Sequence, residues 1–136
     1  MEAPTVLLLE DEFLIALELE EALEDAGFRV LSTSRIDECL HRLTTVTPDT
    51  AILDFRCGSE TSRPVAGVLA DRQVPFVVYS GLPGEDELVS PVFTDRHWLI
   101  KPIDNKTIIE TLIKLLPATY PSPPSNPPAE AMLRPD

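Results

Sequence analysis

The sequence predicts an α/β fold: a doubly wound, five-stranded parallel sheet with helices on both faces. Three observations predict it. Short apolar runs bounded by turn residues recur along the chain, at lengths that suit buried strands. Between them lie segments whose apolar positions follow the helical period of about 3.6 residues. The two kinds of segment alternate, and strands joined by helical crossovers lie parallel in one sheet.

The first strand is Thr5 to Leu9, closed by the acidic triplet Glu10-Asp11-Glu12. Residues 13 to 26 read as a helix with Ile15, Leu19, Ala22, Leu23 and Ala26 on one face, and Gly27 suits its carboxyl-terminal cap. Phe28 to Ser32 is the second strand. Residues 35 to 44 form the second helix, with Ile36, Leu40 and Leu43 inward, stopped before Pro48. Thr50 to Leu53 is the third strand, delivering Asp54 at its carboxyl end.

A polar loop, Arg56 to Arg63, then leads to a third helix over 64 to 72, with Pro64 at the first helical position. Pro75 to Tyr79 is the fourth strand, ending in Ser80-Gly81. A short fourth helix is expected over 85 to 90, hemmed in by Pro83, Gly84 and Pro91. Trp98 to Ile100 is the fifth strand, followed by Lys101-Pro102. Asp104 caps the last helix, 105 to 116, whose inner face carries Ile108, Ile109, Leu112 and Leu116.

The domain therefore covers residues 1 to 116. From 117 to 136 the composition changes: seven of these 20 residues are proline, mixed with serine and alanine. Such a segment buries too little apolar surface to fold and is expected to be a disordered, proline-rich tail. Pro121 and Pro124, and Pro124 and Pro127, have the spacing of a proline-rich ligand.

Eleven basic residues against 23 acidic ones give a net charge of -12. A surface that negative repels phosphate backbones, which argues against nucleic acid as a partner. The longest apolar run near the start, Val6 to Leu9, is too short for a signal peptide or membrane span. No membrane partner is expected, and the cytoplasm is the expected compartment. Cys39 and Cys57 form no CxxC pair and read as reduced thiols. His41 and His97 have no ligand-spaced partners.

In a doubly wound sheet, ligands bind at the carboxyl ends of the strands, where the strand order reverses. In the flavodoxin-like order 2-1-3-4-5, four strands bring Glu10 and Asp11, Asp54, Ser80 and Lys101 to one rim. Converging carboxylates raise one another's pKa unless a cation neutralises them, and carboxylate and carbonyl oxygens favour magnesium. A carboxylate beside bound Mg2+ is a nucleophile toward a phosphoryl group. Lys101 and the Ser80 hydroxyl are placed to meet the charge on its oxygens.

Glu10-Asp11, Asp54, Ser80-Gly81 and Lys101-Pro102 resemble, in order and spacing, the signature of receiver (CheY-like) domains of two-component response regulators. The resemblance covers about residues 4 to 116. It implies that Asp54 is the phosphoacceptor, that Asp11 binds magnesium directly, and that Glu10 does so directly or through water. It also makes the main-chain carbonyl of Arg56 a metal ligand, Ser80 the switch hydroxyl, Lys101 the phosphate-binding lysine and Trp98 the switch aromatic. A cis Lys101–Pro102 bond is a further implication. The loop after Asp54 departs from the family in carrying Gly58 where a proline is usual.

The function so implied is a stand-alone, single-domain response regulator. It accepts phosphate from a sensor histidine kinase or histidine phosphotransfer protein and switches an interaction with a downstream protein. The alternative is a phosphate sink or phosphorelay shuttle without a dedicated effector. A turnover enzyme is disfavoured. Haloacid-dehalogenase-type phosphatases need a second aspartate where this chain has Arg56, and flavodoxin-type FMN binding needs a Ser/Thr-rich loop where it has Glu10-Asp11-Glu12.

Overall fold

Strand β1, Thr5–Leu9, is an interior strand of the sheet: Val6, Leu7, Leu8 and Leu9 have no exposed surface, so both faces of the strand are covered. A computed structural model describes residues 3–80, 97–101 and 103–116. After β1 the chain runs through α1 (Phe13–Asp25), β2 (Arg29–Thr33), α2 (Ile36–Arg42) and β3 (Thr50–Asp54). A short pair follows, β4 (Arg56–Cys57) and β5 (Glu60–Thr61), and then α3 (Arg63–Asp71), β6 (Phe76–Ser80), β7 (His97–Ile100) and α4 (Asn105–Leu115).

The main sheet is parallel in the order β2-β1-β3-β6-β7, the predicted five-strand order with its reversal beside β1. Alternation along each strand sorts the core into two layers. Leu7, Leu9, Leu53, Phe76 and Val78 face α2 and α3, where they meet Ile36, Cys39, Val65 and Leu69. Val6, Leu8, Ile52, Val77 and Tyr79 face α1 and α4, against Leu19, Leu23, Ile108 and Leu112.

Local chemistry explains where the elements stop. At the end of α1, the Gly27 amide donates to Glu24 and the Phe28 amide to Leu23, with Gly27 at φ 99°. This is a Schellman cap, and it spends the Phe28 amide, so β2 begins at Arg29 rather than Phe28. Helix α2 ends at Arg42, two residues short of the expectation, because the Thr44 and Thr45 hydroxyls turn back onto the carbonyls of His41 and Arg42. Asp104 caps α4 as expected, its carboxylate accepting from the Thr107 amide at 2.9 Å.

The stretch expected as a plain polar loop is different. Residues 56–61 form the antiparallel β4–β5 pair, with Cys57 buried and the turn residue Gly58 at φ 65°. Helix α3 starts one residue early, with Pro64 in second place. Of the earlier expectations, the helix over 85 to 90, the Lys101–Pro102 bond and the tail lie outside the described residues. No helix among the described residues is long and apolar enough to cross a membrane.

Helix α3 ends in the same cap geometry as α1, but its left-handed residue is Gln73, at φ 60°. The Gln73 amide donates to Ala70 and the Val74 amide to Leu69. A side chain there carries the left-handed penalty that glycine escapes. Gln73→Gly is therefore expected to raise stability by about 0.5–1 kcal/mol. A urea titration checks it; a destabilised variant contradicts the cap.

Candidate functional site

Backbone pairing brings the polar residues of four strands to one rim. Glu10 leaves β1, and its amide continues the ladder by donating to the Thr33 carbonyl at 3.1 Å. Asp54 ends β3, in register with Tyr79 of β6. Lys101 follows β7 directly. Glu10 and Asp54 are buried, at 1% and 5% exposure, whereas Asp11 is exposed on the loop after β1. One carboxylate oxygen from each of the three acids lies within 4.8 Å of the others.

Every acid at the rim has a protein partner. Lys101 Nζ lies 3.2 Å from Asp54 Oδ2 and 3.6 Å from Glu10 Oε1. Glu10 Oε1 also accepts from the Tyr79 hydroxyl, and its Oε2 from the Glu12 amide at 2.9 Å. Asp11 Oδ2 accepts from the Gly58 amide at 2.9 Å, which ties the β4–β5 pair to the rim. Beside it opens a cavity of 510 Å³ bounded by Asp11, Arg35, Cys57, Gly58 and Glu60.

One lysine does not balance three carboxylates, and the electrostatics show it. Burial and then the charge of Glu10 push the Asp54 carboxyl up to about 7, against the opposing pull of Lys101. Burial works against the Lys101 charge, but Asp54 and Glu10 outweigh it, so the ammonium is held above its usual range. Burial, reinforced by the bond to Glu10, holds the Tyr79 hydroxyl far above its ordinary value, so the phenol stays a donor.

The donor set fits a hard divalent cation. It is made of carboxylate oxygens, carries surplus negative charge, and includes a carboxyl that resists ionising until that charge is offset. The nearby thiol does not compete: burial pushes Cys57 up to about 12, and its Sγ donates to the Ser34 carbonyl at 3.2 Å. Cys39, pushed up to about 11 by burial, belongs to the core.

Of the residues singled out in the sequence, Glu10, Asp11, Asp54 and Lys101 come together. Arg56, expected to contribute its main-chain carbonyl, lies in β4 two residues past Asp54, with its side chain exposed and its guanidinium 5.7 Å from the Phe55 ring centre. Ser80 and Trp98 occupy the main-chain positions expected in β6 and β7, and their side chains lie outside what is described. Sequence reasoning missed Tyr79, read only as the end of an apolar strand. The available signal was a polar-tipped aromatic at the carboxyl end of a strand, one residue before Ser80.

No protein-family model matches the sequence, and no curated protein does. Solved structures do match. A response regulator receiver protein from Sinorhizobium medicae is 30% identical with a TM-score of 0.76, over 86% of this chain and 97% of that one. A response regulator from Thermotoga maritima, in complex with Mg2+ and BeF, is 21% identical with a TM-score of 0.71, over 85% of this chain and 100% of that one. A response regulator from Burkholderia pseudomallei, with a phosphorylated aspartic acid and a calcium ion, is 21% identical with a TM-score of 0.71, over 80% of this chain and 66% of that one.

The raised Asp54 pKa has a consequence for stability without added cation. Folded Asp54 keeps its proton up to about pH 7, whereas in the unfolded chain it loses it near the ordinary 3.8. The folded state holds the extra proton between those values, so this group makes stability fall as pH rises through that window. Asp54→Asn should remove that slope and stabilise the metal-free protein at pH 7 by about 1–3 kcal/mol. Melting curves from pH 4 to pH 8 in a chelator measure it, and an Asn variant no more stable than wild type contradicts the electrostatics.

Proposed function

This chain belongs to the response regulator receiver family, and from that premise we propose that it is a phosphorylation switch whose phosphoacceptor is Asp54. Receivers carry the phosphoryl group on themselves rather than turning over an external substrate. The observation that carries the reading is the convergence of Glu10, Asp11 and Asp54 within 4.8 Å, with Lys101 3.2 Å from Asp54.

In the step proposed, an ionised Asp54 oxygen attacks the phosphorus of a phosphohistidine on a sensor kinase or phosphotransfer protein. An O–P bond forms and the P–N bond breaks. The histidine nitrogen leaves with the electron pair and takes up a proton. Bound magnesium supplies charge neutralisation at the acids and at the phosphoryl oxygens. Asp11, Asp54 and the Arg56 carbonyl would hold it, with Glu10 acting directly or through water.

Lys101, now paired with Asp54, carries the positive charge that meets the incoming phosphoryl oxygens. The BeF held with Mg2+ by the Thermotoga protein and the phosphorylated aspartic acid of the Burkholderia protein support the same chemistry here. The switch is assigned to the Ser80 hydroxyl and the Trp98 ring. Its output is an interaction with a downstream protein in the cytoplasm.

Acetyl phosphate with magnesium, followed by intact-mass measurement, tests this reading. Wild type should gain one phosphoryl group and Asp54→Asn none; wild-type-level labelling of Asp54→Asn overturns the assignment. Beryllofluoride should tighten magnesium binding in wild type, because one of its fluorines, standing in for a phosphoryl oxygen, adds to the coordination shell. Asp11→Ala should abolish that coupling. Retained coupling moves the metal site elsewhere.

A further inference from the structure

Among the described rim residues, Tyr79 has no task in the reaction above, yet it is built into the site. It is 2% exposed, stands in register with Asp54, and sends its hydroxyl to Glu10 Oε1. Its ring lies 4.7 Å from Lys101 Nζ, so one side chain touches both the buried acid Glu10 and the lysine. Below the rim the same ring belongs to the core layer that holds Leu19, Val77 and Ile108, with Ile103 packed against it.

The hydrogen bonds on Glu10 define what the phenol does. A carboxylate offers about four lone-pair sites. Tyr79 and Lys101 engage Oε1, and the Glu12 amide engages Oε2. Glu10 is almost wholly buried, so no solvent replaces a partner it loses. We propose that Tyr79 is a positioning residue that competes with the divalent cation for Glu10. The phenol satisfies the buried carboxylate in the metal-free protein, and cation binding draws that carboxylate away from it.

The consequence follows from linkage. Removing the hydroxyl leaves Glu10 one donor short in the metal-free state, whereas in the loaded state the ion or its water fills the gap. The loss therefore falls mainly on the metal-free protein, and cation affinity rises. Tyr79 so weakens the resting site for magnesium and leaves occupancy more dependent on an arriving phosphoryl group. The inference rests on reading the three acids as a cation site.

Magnesium dissociation constants measured by calorimetry on wild type, Tyr79→Phe, Glu10→Gln and the double variant test it. Tyr79→Phe keeps the ring beneath Lys101 and loses only the hydroxyl. It should bind magnesium roughly three- to tenfold more tightly than wild type. In the Glu10→Gln background the same substitution should change affinity by less than about twofold, because the group through which it acts is gone. Unchanged or weaker binding in Tyr79→Phe overturns the proposal, as does an equal gain in both backgrounds. Wild type that binds no magnesium overturns the cation-site reading as well, whereas normal wild-type binding with an inert Tyr79→Phe overturns this proposal alone.

A second measurement does not depend on Tyr79→Phe folding. Fluorotyrosine incorporated at Tyr79 and Tyr120, the two tyrosines of the chain, gives two fluorine resonances, and Tyr120→Phe assigns the remaining one to Tyr79. That resonance should shift on saturation with magnesium. A resonance that stays in place while magnesium binds overturns the proposal.

Discussion

The contact on which the site depends is the ammonium of Lys101, 3.2 Å from Asp54 and 3.6 Å from Glu10. Two acids are buried at the carboxyl edge of this sheet, and burying like charges together is costly without a counter-charge. Lysine supplies that charge, and the fold must carry it there. Lys101 follows β7, which reaches the acids only because β7 pairs with β6 and β6 with β3. Strand order and site are therefore one constraint. The polar rim is possible because four consecutive places in the sheet are filled by these strands.

Much of this was legible in the sequence, for identifiable reasons. Strands such as Val6–Leu9 and Thr50–Leu53 are covered on both faces, so they read as unbroken apolar runs between amphipathic segments. Gly27 and Asp104 announced their caps because those residue types do a specific job at helix ends. What was not legible depended on choices made by the folded chain. Gln73 has no preference for a left-handed turn, yet the cap after α3 places it in one. Thr44 and Thr45 end α2 through side-chain bonds that compete with the helix, and no periodicity records that competition.

The site divides in the same way. Glu10, Asp11, Asp54 and Lys101 could be found from sequence because each stands where an apolar strand gives way to a charged residue. Tyr79 was hidden because a tyrosine in a buried strand is ordinary by composition, and only the register opposite Asp54 shows where its hydroxyl goes. Gly58 was noticed as a departure from the family. Its amide bond to Asp11 required the short β4–β5 pair, two strands of two residues each, which are below the length at which alternation can be read.

The supports of the rim residues form a gradient of rigidity that bears on the switch proposed above. Asp54 ends a strand whose five residues are all buried, with β1 on one side and β6 on the other, so its backbone has the least freedom. Glu10 lies one residue past β1 and is still tied to β2 through Thr33. Asp11 is exposed and is held through the Gly58 amide of a two-residue turn. Lys101 follows β7, the edge strand of the sheet. A change of charge at Asp54 would therefore meet a firmly held backbone at β3 and less firmly held neighbours, because a well-packed core deforms far less than loops do. The phosphoacceptor role proposed for Asp54 would by this arrangement direct structural response outward, into the segments after β1, β3 and β7.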